Sequence, residues 1–157
     1  METVYLETTF VSYLTAPLSR ELIVAAHQQL TVEWWETRRS RYDCFISEIV
    51  KDEASQGDND EVQKRIALIN KLQMLELIAE ARLLTREILS SGVIPEKAVR
   101  DAAHIAVATV HAIDYLLTWN CRHLANAHIL KKIDQVCARA GYQIPVICTP
   151  IELMEEQ

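Results

Sequence analysis

Short apolar runs alternate with longer segments of helical periodicity along the whole chain, and this alternation restricts the fold more than any other feature. Thr3–Glu7 reads as a first strand, with Thr8-Thr9 placed to cap a helix behind it. Within Arg20–Arg39, the residues Leu22, Ile23, Ala26, Leu30 and Trp34 recur at the spacing of one helix face. Tyr42–Ser47 is a second strand, and Ser47 stands where it would cap a helix carrying Ile49, Val50 and Glu53. The polar stretch Gln56-Gly57-Asp58-Asn59-Asp60 is a turn, followed by a helix marked by Val62, Ile66, Ile69 and Leu72. Met74–Ile78 reads as a third strand. The helix Glu80–Ser90 stops at Ser91-Gly92, where Gly occupies the position after the last turn. Pro95 opens the next helix, through Asp101, Ala102, Ile105 and Ala106. Tyr115–Trp119 is a fourth strand and Ala127–Ala140 a long helix. Pro145–Cys148 is a short last strand, and Glu152–Gln157 a terminal helical turn.

Strand–helix alternation with connections of this length predicts a central, mostly parallel sheet of four to five strands between helices, a three-layer α/β/α fold. No linker, repeat or low-complexity segment interrupts it, so residues 1–157 read as a single domain. A chain of this length buries roughly 70% of the surface its unfolded form exposes and needs neither disulfide nor structural metal. Cys44, Cys121, Cys137 and Cys148 are too scattered for a zinc site or a C-x-x-C pair, and three of them lie in apolar surroundings. No basic, apolar leader precedes the first strand, and no apolar stretch approaches the ~20 residues that span a bilayer. The expected setting is the reducing cytoplasm, away from membranes.

Composition excludes one function class and argues against another. The only glycines are Gly57, Gly92 and Gly141, far apart, so no glycine-rich phosphate cradle can form. With 16 basic against 22 acidic side chains, the net charge of −6 argues against a broad basic surface for duplex nucleic acid.

In a parallel α/β sheet, ligands collect beyond the carboxyl ends of the strands. Glu7 ends the first strand, Glu53 follows the second on its helix, and Thr118-Trp119-Asn120 ends the fourth. Asp101 precedes the small, apolar run Ala102–Ala106 and is therefore half-buried and in need of a partner. If Glu7, Glu53 and Asp101 converge, three like charges require a cation or raised pKa values, and oxygen-only ligands favour Mg²⁺ or Mn²⁺. Other readings stand beside this one: Glu7 as a helix cap, Glu53 on a solvated Lys51-Asp52-Glu53 face, and Asp101 paired with Arg100 or Lys97. Periodicity alone gives an acidic α/β domain and no reaction.

At these residues the chain resembles a PIN domain, in particular the VapC-like toxins of type II toxin–antitoxin pairs. Four blocks carry the likeness, in the family's order: Val4-Tyr5-Leu6-Glu7-Thr8-Thr9, Ser47 through Glu53, Asp101-Ala102-Ala103-His104-Ile105-Ala106, and Leu116-Leu117-Thr118-Trp119-Asn120. The resemblance implies a metal-dependent endoribonuclease that cleaves RNA phosphodiesters. It implies catalytic positions at Glu7, Glu53, Asp101 and Asn120, with Glu7, Asp101 and Glu53 binding Mg²⁺ or Mn²⁺. It further implies a cognate antitoxin and a homodimer or toxin–antitoxin hetero-oligomer. The family's first acidic position is usually Asp where this chain has Glu7, and its fourth is often Asp where this chain has Asn120. Those two departures motivate an alternative, a degenerate PIN fold that binds RNA or protein with little or no cleavage. A phosphatase of the haloacid-dehalogenase kind ranks below both, since Glu7 is followed by Thr8-Thr9 and no D-x-D opens the chain.

Around this core, Thr8, Arg100, Thr118, Arg122 and His123 are candidate substrate contacts, the cations for the RNA backbone. Trp119 is placed either to stack on a base or to fill the core at the strand end. Cys121 is read as filling space. Trp34-Trp35, followed by Arg38, Arg39 and Arg41, reads either as core or as an aromatic-anchored surface for a dimer or antitoxin.

Overall fold

The computed structural model describes residues 1–154. Five parallel strands form one sheet: β1 (Glu2–Leu6), β2 (Tyr42–Ser47), β3 (Gln73–Leu75), β4 (Tyr115–Leu117) and β5 (Val146–Cys148). Their spatial order is β3-β2-β1-β4-β5. The chain therefore steps outward from β1 to β3, returns across the sheet to β4, and steps outward again the other way. The reversal lies between β1 and β4, the switch point at which parallel α/β sheets hold their ligand crevice, beyond the carboxyl ends of the strands.

The connecting helices are α1 (Thr8–Thr15), α2 (Leu22–Thr37), α3 (Glu48–Ala54), α4 (Asn59–Ile69), α5 (Ala79–Ser90), α6 (Val99–Val110) and α7 (Ala127–Arg139). Right-handed crossovers place helices that lead one way along the sheet on one face and those that lead the other way on the opposite face. Accordingly α1 packs on α2, α3 and α4, while α5 packs on α6 and α7. Covered on both sides, the sheet shows the continuous apolar runs of a buried parallel strand rather than alternation. Val4, Tyr5 and Leu6 of β1 are fully buried, as are Leu116 and Leu117 of β4.

Several boundaries differ from those the sequence predicts. β3 covers Gln73–Leu75 instead of Met74–Ile78, because Leu75 already pairs with Ser47, the last residue of β2. β4 ends at Leu117, two residues short of Trp119, where the chain turns away to build the crevice. A short 3₁₀ turn at Glu96–Ala98 separates Pro95 from α6. Leu72 lies beyond α4, while Gly92 has φ 76° and ends α5 in the left-handed conformation expected there. Of the expected terminal turn, residues 151–154 form a turn and residues 155–157 lie outside the described residues.

The tryptophan pair divides between core and surface. Trp34 is completely buried, edge-on to Phe10 with ring centroids 5.5 Å apart. Trp35 is half-buried with the Arg39 guanidinium 4.4 Å over its ring, and Arg38 donates to the Met154 carbonyl. Trp34 is thus a core residue, and Trp35 with Arg39 is what remains of the aromatic surface. Cys44, Cys137 and Cys148 are buried, whereas Cys121 is exposed rather than filling space.

Candidate active site

The crevice between β1 and β4 is built around Glu7. This residue occupies the N-cap position of α1, but its side chain makes no capping bond to the helix. Instead its carboxylate, 3% exposed, accepts hydrogen bonds at Oε1 from the hydroxyls of Thr9 and Thr118, each at 2.5 Å. Each hydroxyl in turn accepts from a backbone N–H, Thr9 from Trp119 and Thr118 from Asn120. An accepting hydroxyl is a better donor, so both are polarised toward the buried carboxylate. Thr118 thus serves Glu7 and the Asn120 turn, and its side chain is fully buried.

Glu53 reaches the same crevice from α3. The helix starts at Ser47, which holds the N-cap position but turns its Oγ to the Tyr5 hydroxyl, 2.7 Å away. Glu53 Oε1 accepts from Thr8 Oγ1 and lies 2.6 Å from His104 Nε2. Burial alone would raise this carboxyl's pKa. The His104 hydrogen bond and charge, the Thr8 hydroxyl and Arg100 together outweigh burial and lower it. Arg100 therefore acts on Glu53 by its field, and Thr8 by direct contact.

His104 is the residue that sequence reasoning missed. It is fully buried, with Nε2 2.6 Å from Glu53 Oε1 and 3.9 Å from Glu7 Oε2. Its Nδ1 is 2.6 Å from the Tyr5 hydroxyl, so Tyr5 links His104 to Ser47. In the sequence it stands inside the apolar run of α6 and reads as a core residue. The available signal was its place three residues after Asp101, on the same side of the helix.

Asp101 is half-buried as expected, but its partner is His123, whose Nδ1 lies 2.8 Å from Oδ2. It is neither paired with Lys97 nor part of the compact group that Glu7, Glu53 and His104 form. Asn120 Oδ1 accepts from the backbone N–H groups of Arg122 and His123, and so folds the loop that presents His123 to Asp101. Arg122 and Arg100 are exposed. Trp119 is 8% exposed, donates from Nε1 to Thr31 and stacks on His27 at 4.1 Å, which makes it a core indole.

The residues that could hold a cation are Glu7, Glu53 and His104, which each offer one ligand atom, all within 4.8 Å of one another. Two carboxylates converging in a mostly buried crevice fit a divalent cation, whose charge would offset their mutual repulsion.

No protein-family profile matches the chain, and no curated protein matches it. Solved structures do. The Rickettsia felis VapBC2 complex, bound to a DNA fragment from its promoter, aligns at TM-score 0.59 and 15% identity, over 92% of this chain and 96% of that one. Mycobacterium tuberculosis VapC20, a toxin that cleaves the sarcin–ricin loop, aligns at TM-score 0.62 and 14% identity, over 77% and 92%. The order of the strands and these alignments together give the chain the fold of the VapC PIN-domain toxins.

Proposed function

We propose that the protein is a metal-dependent endoribonuclease and the toxin of a toxin–antitoxin pair. The observation that carries this reading is the meeting of Glu7 and Glu53 at the carboxyl ends of β1 and β2, within the fold of the VapC toxins. A divalent cation, Mg²⁺ or Mn²⁺, would supply Lewis acidity there, making water a better nucleophile and offsetting charge at the scissile phosphate. The chain's own residues hold the rest. Thr9 and Thr118 fix Glu7, while Thr8 and His104 fix Glu53. Arg100 and Arg122 are exposed cations for the RNA backbone, which gives an acidic protein a local route to a polyanion. His123, oriented by Asp101, is placed beside them.

An antitoxin that places a basic side chain near Glu7 and Glu53 would compete with both cation and RNA. The resemblance also supports a homodimer or a toxin–antitoxin assembly in the cytoplasm. A second reading, a PIN-fold binding module without cleavage, is favoured by one observation: Asp101 is already engaged by His123.

RNA cleavage by the purified chain with Mg²⁺ or Mn²⁺ tests the proposal. Glu53→Gln and Asp101→Asn are expected to lose cleavage while keeping a folded circular dichroism spectrum, Glu53→Gln at some cost in stability. Cleavage by both variants at the wild-type rate would sink the assignment. Calorimetry with Mn²⁺ separates the two readings, because no binding at millimolar metal favours the binding module.

A further inference from the structure

His104 presents two nitrogens to two different kinds of neighbour. Nε2 faces the carboxylates of Glu53 at 2.6 Å and Glu7 at 3.9 Å. Nδ1 faces a buried hydroxyl pair, Tyr5 at 2.6 Å and, beyond it, Ser47. We propose that His104 Nε2 is a third protein ligand of the cation, and that this nitrogen makes the site prefer a first-row transition ion such as Mn²⁺ to Mg²⁺. The inference rests on the reading of Glu7 and Glu53 as the cation site.

Three features support it. An imidazole that binds a metal through one nitrogen needs an acceptor for the N–H on the other, which fixes both tautomer and ring orientation. The Tyr5 oxygen is that acceptor. The Tyr5 hydroxyl can in turn donate onward to Ser47 Oγ, 2.7 Å away. Both hydroxyls can also turn the other way. Without a cation, Nε2 faces the Glu53 carboxylate as a donor, and the Tyr5–Ser47 pair can turn to meet Nδ1 as donor or as acceptor.

The second feature is rigidity. His104 lies on α6 among the buried Ala102, Ile105, Ala106, Val107 and Ala108, and is itself wholly enclosed. A ring held this way stays where its nitrogen meets the carboxylates. The third is ligand chemistry. Mg²⁺ is a hard ion that takes oxygen ligands at about 2.1 Å and gives up its waters reluctantly. Imidazole nitrogen instead favours the later first-row ions, whose affinity for such sites rises from Mn²⁺ onward.

The test uses the full chain and Mn²⁺ itself. Electron paramagnetic resonance should show Mn²⁺ binding about tenfold or more tightly than Mg²⁺ in competition. Pulsed spectra should carry an imidazole ¹⁴N coupling that changes to the ¹⁵N pattern when histidine is ¹⁵N-labelled. His104→Gln should lose that coupling together with the preference for Mn²⁺. Since a substitution at so buried a position can cost the fold, the labelled wild-type spectrum is the deciding measurement. Bound Mn²⁺ without nitrogen coupling overturns the ligand role of His104 and leaves the carboxylate site standing. Binding of neither ion at millimolar concentration overturns both.

Discussion

His104 Nε2 lies 2.6 Å from Glu53 Oε1, although 51 residues separate the two in sequence. This contact contributes to holding the Glu53 carboxyl below its ordinary pKa against the opposing pull of burial, with Thr8 and Arg100 assisting. A carboxyl whose folded pKa lies below its unfolded one adds stability above the unfolded value, near 4.5 here, and loses it as pH falls through the folded value. In chelator, wild type should therefore exceed Glu53→Gln in urea midpoint at neutral pH. The gap should close as the pH drops from about 5 toward 3. A gap independent of pH would mean that the charge on Glu53 adds nothing.

Tyr5 joins Ser47 to His104 with all three side chains enclosed. Tyr5→Phe keeps the ring and removes the shared hydroxyl, leaving two buried polar groups short of a partner. Loss of about 1–3 kcal/mol in chemical denaturation is expected. An unchanged midpoint would show that the relay is energetically idle.

The two adjacent tryptophans should respond very differently to truncation. Trp34→Ala empties a fully buried site against Phe10 and should cost about 3–5 kcal/mol. Trp35→Ala removes a half-buried ring and its contact with Arg39, whose cation–π part is about 0.5–1 kcal/mol. Equal losses in paired urea titrations would contradict this division.

Thiol chemistry offers an independent check on the core. Burial pushes Cys44 and Cys137 up to about 11 and Cys148 to about 12, whereas Cys121 is exposed. At pH 8 the three buried groups are almost entirely unreactive thiols. Ellman's reagent should titrate one thiol quickly in the native protein and all four in denaturant. Two or more fast thiols would indicate a looser core around β2, α7 or β5.

Much of this architecture is legible in the sequence because parallel strands buried on both faces announce themselves as apolar runs. β2 matches its predicted span residue for residue, since Ser47 and the charged face of α3 mark its end. β3 does not, because Leu77 and Ile78 prolong the apolar run past the point where β2 can pair with it. The site is legible only in part. Glu7 and Glu53 stand at strand ends, where topology alone makes them neighbours. His104 and the Asp101–His123 pair depend on the angle at which α6 and the loop after β4 meet the sheet, and side-chain periodicity holds no information on that angle. Asp101 was recognisable as needing a partner; that His123 would be the partner was not, because the Asn120 turn that brings it there is tertiary.

Thr118 anchors Glu7 from 111 residues further along the chain, across the joint where β4 docks beside β1. Synthesis runs from the N-terminus, so a chain emerging from the ribosome carries Glu7 long before the hydroxyl that steadies it. Until β4 has emerged and paired, the middle strand of the sheet has one open edge and its terminal carboxylate lacks half of its Oε1 donors. The full donor set around the Glu7 carboxylate is consequently complete only once β4 has docked beside β1.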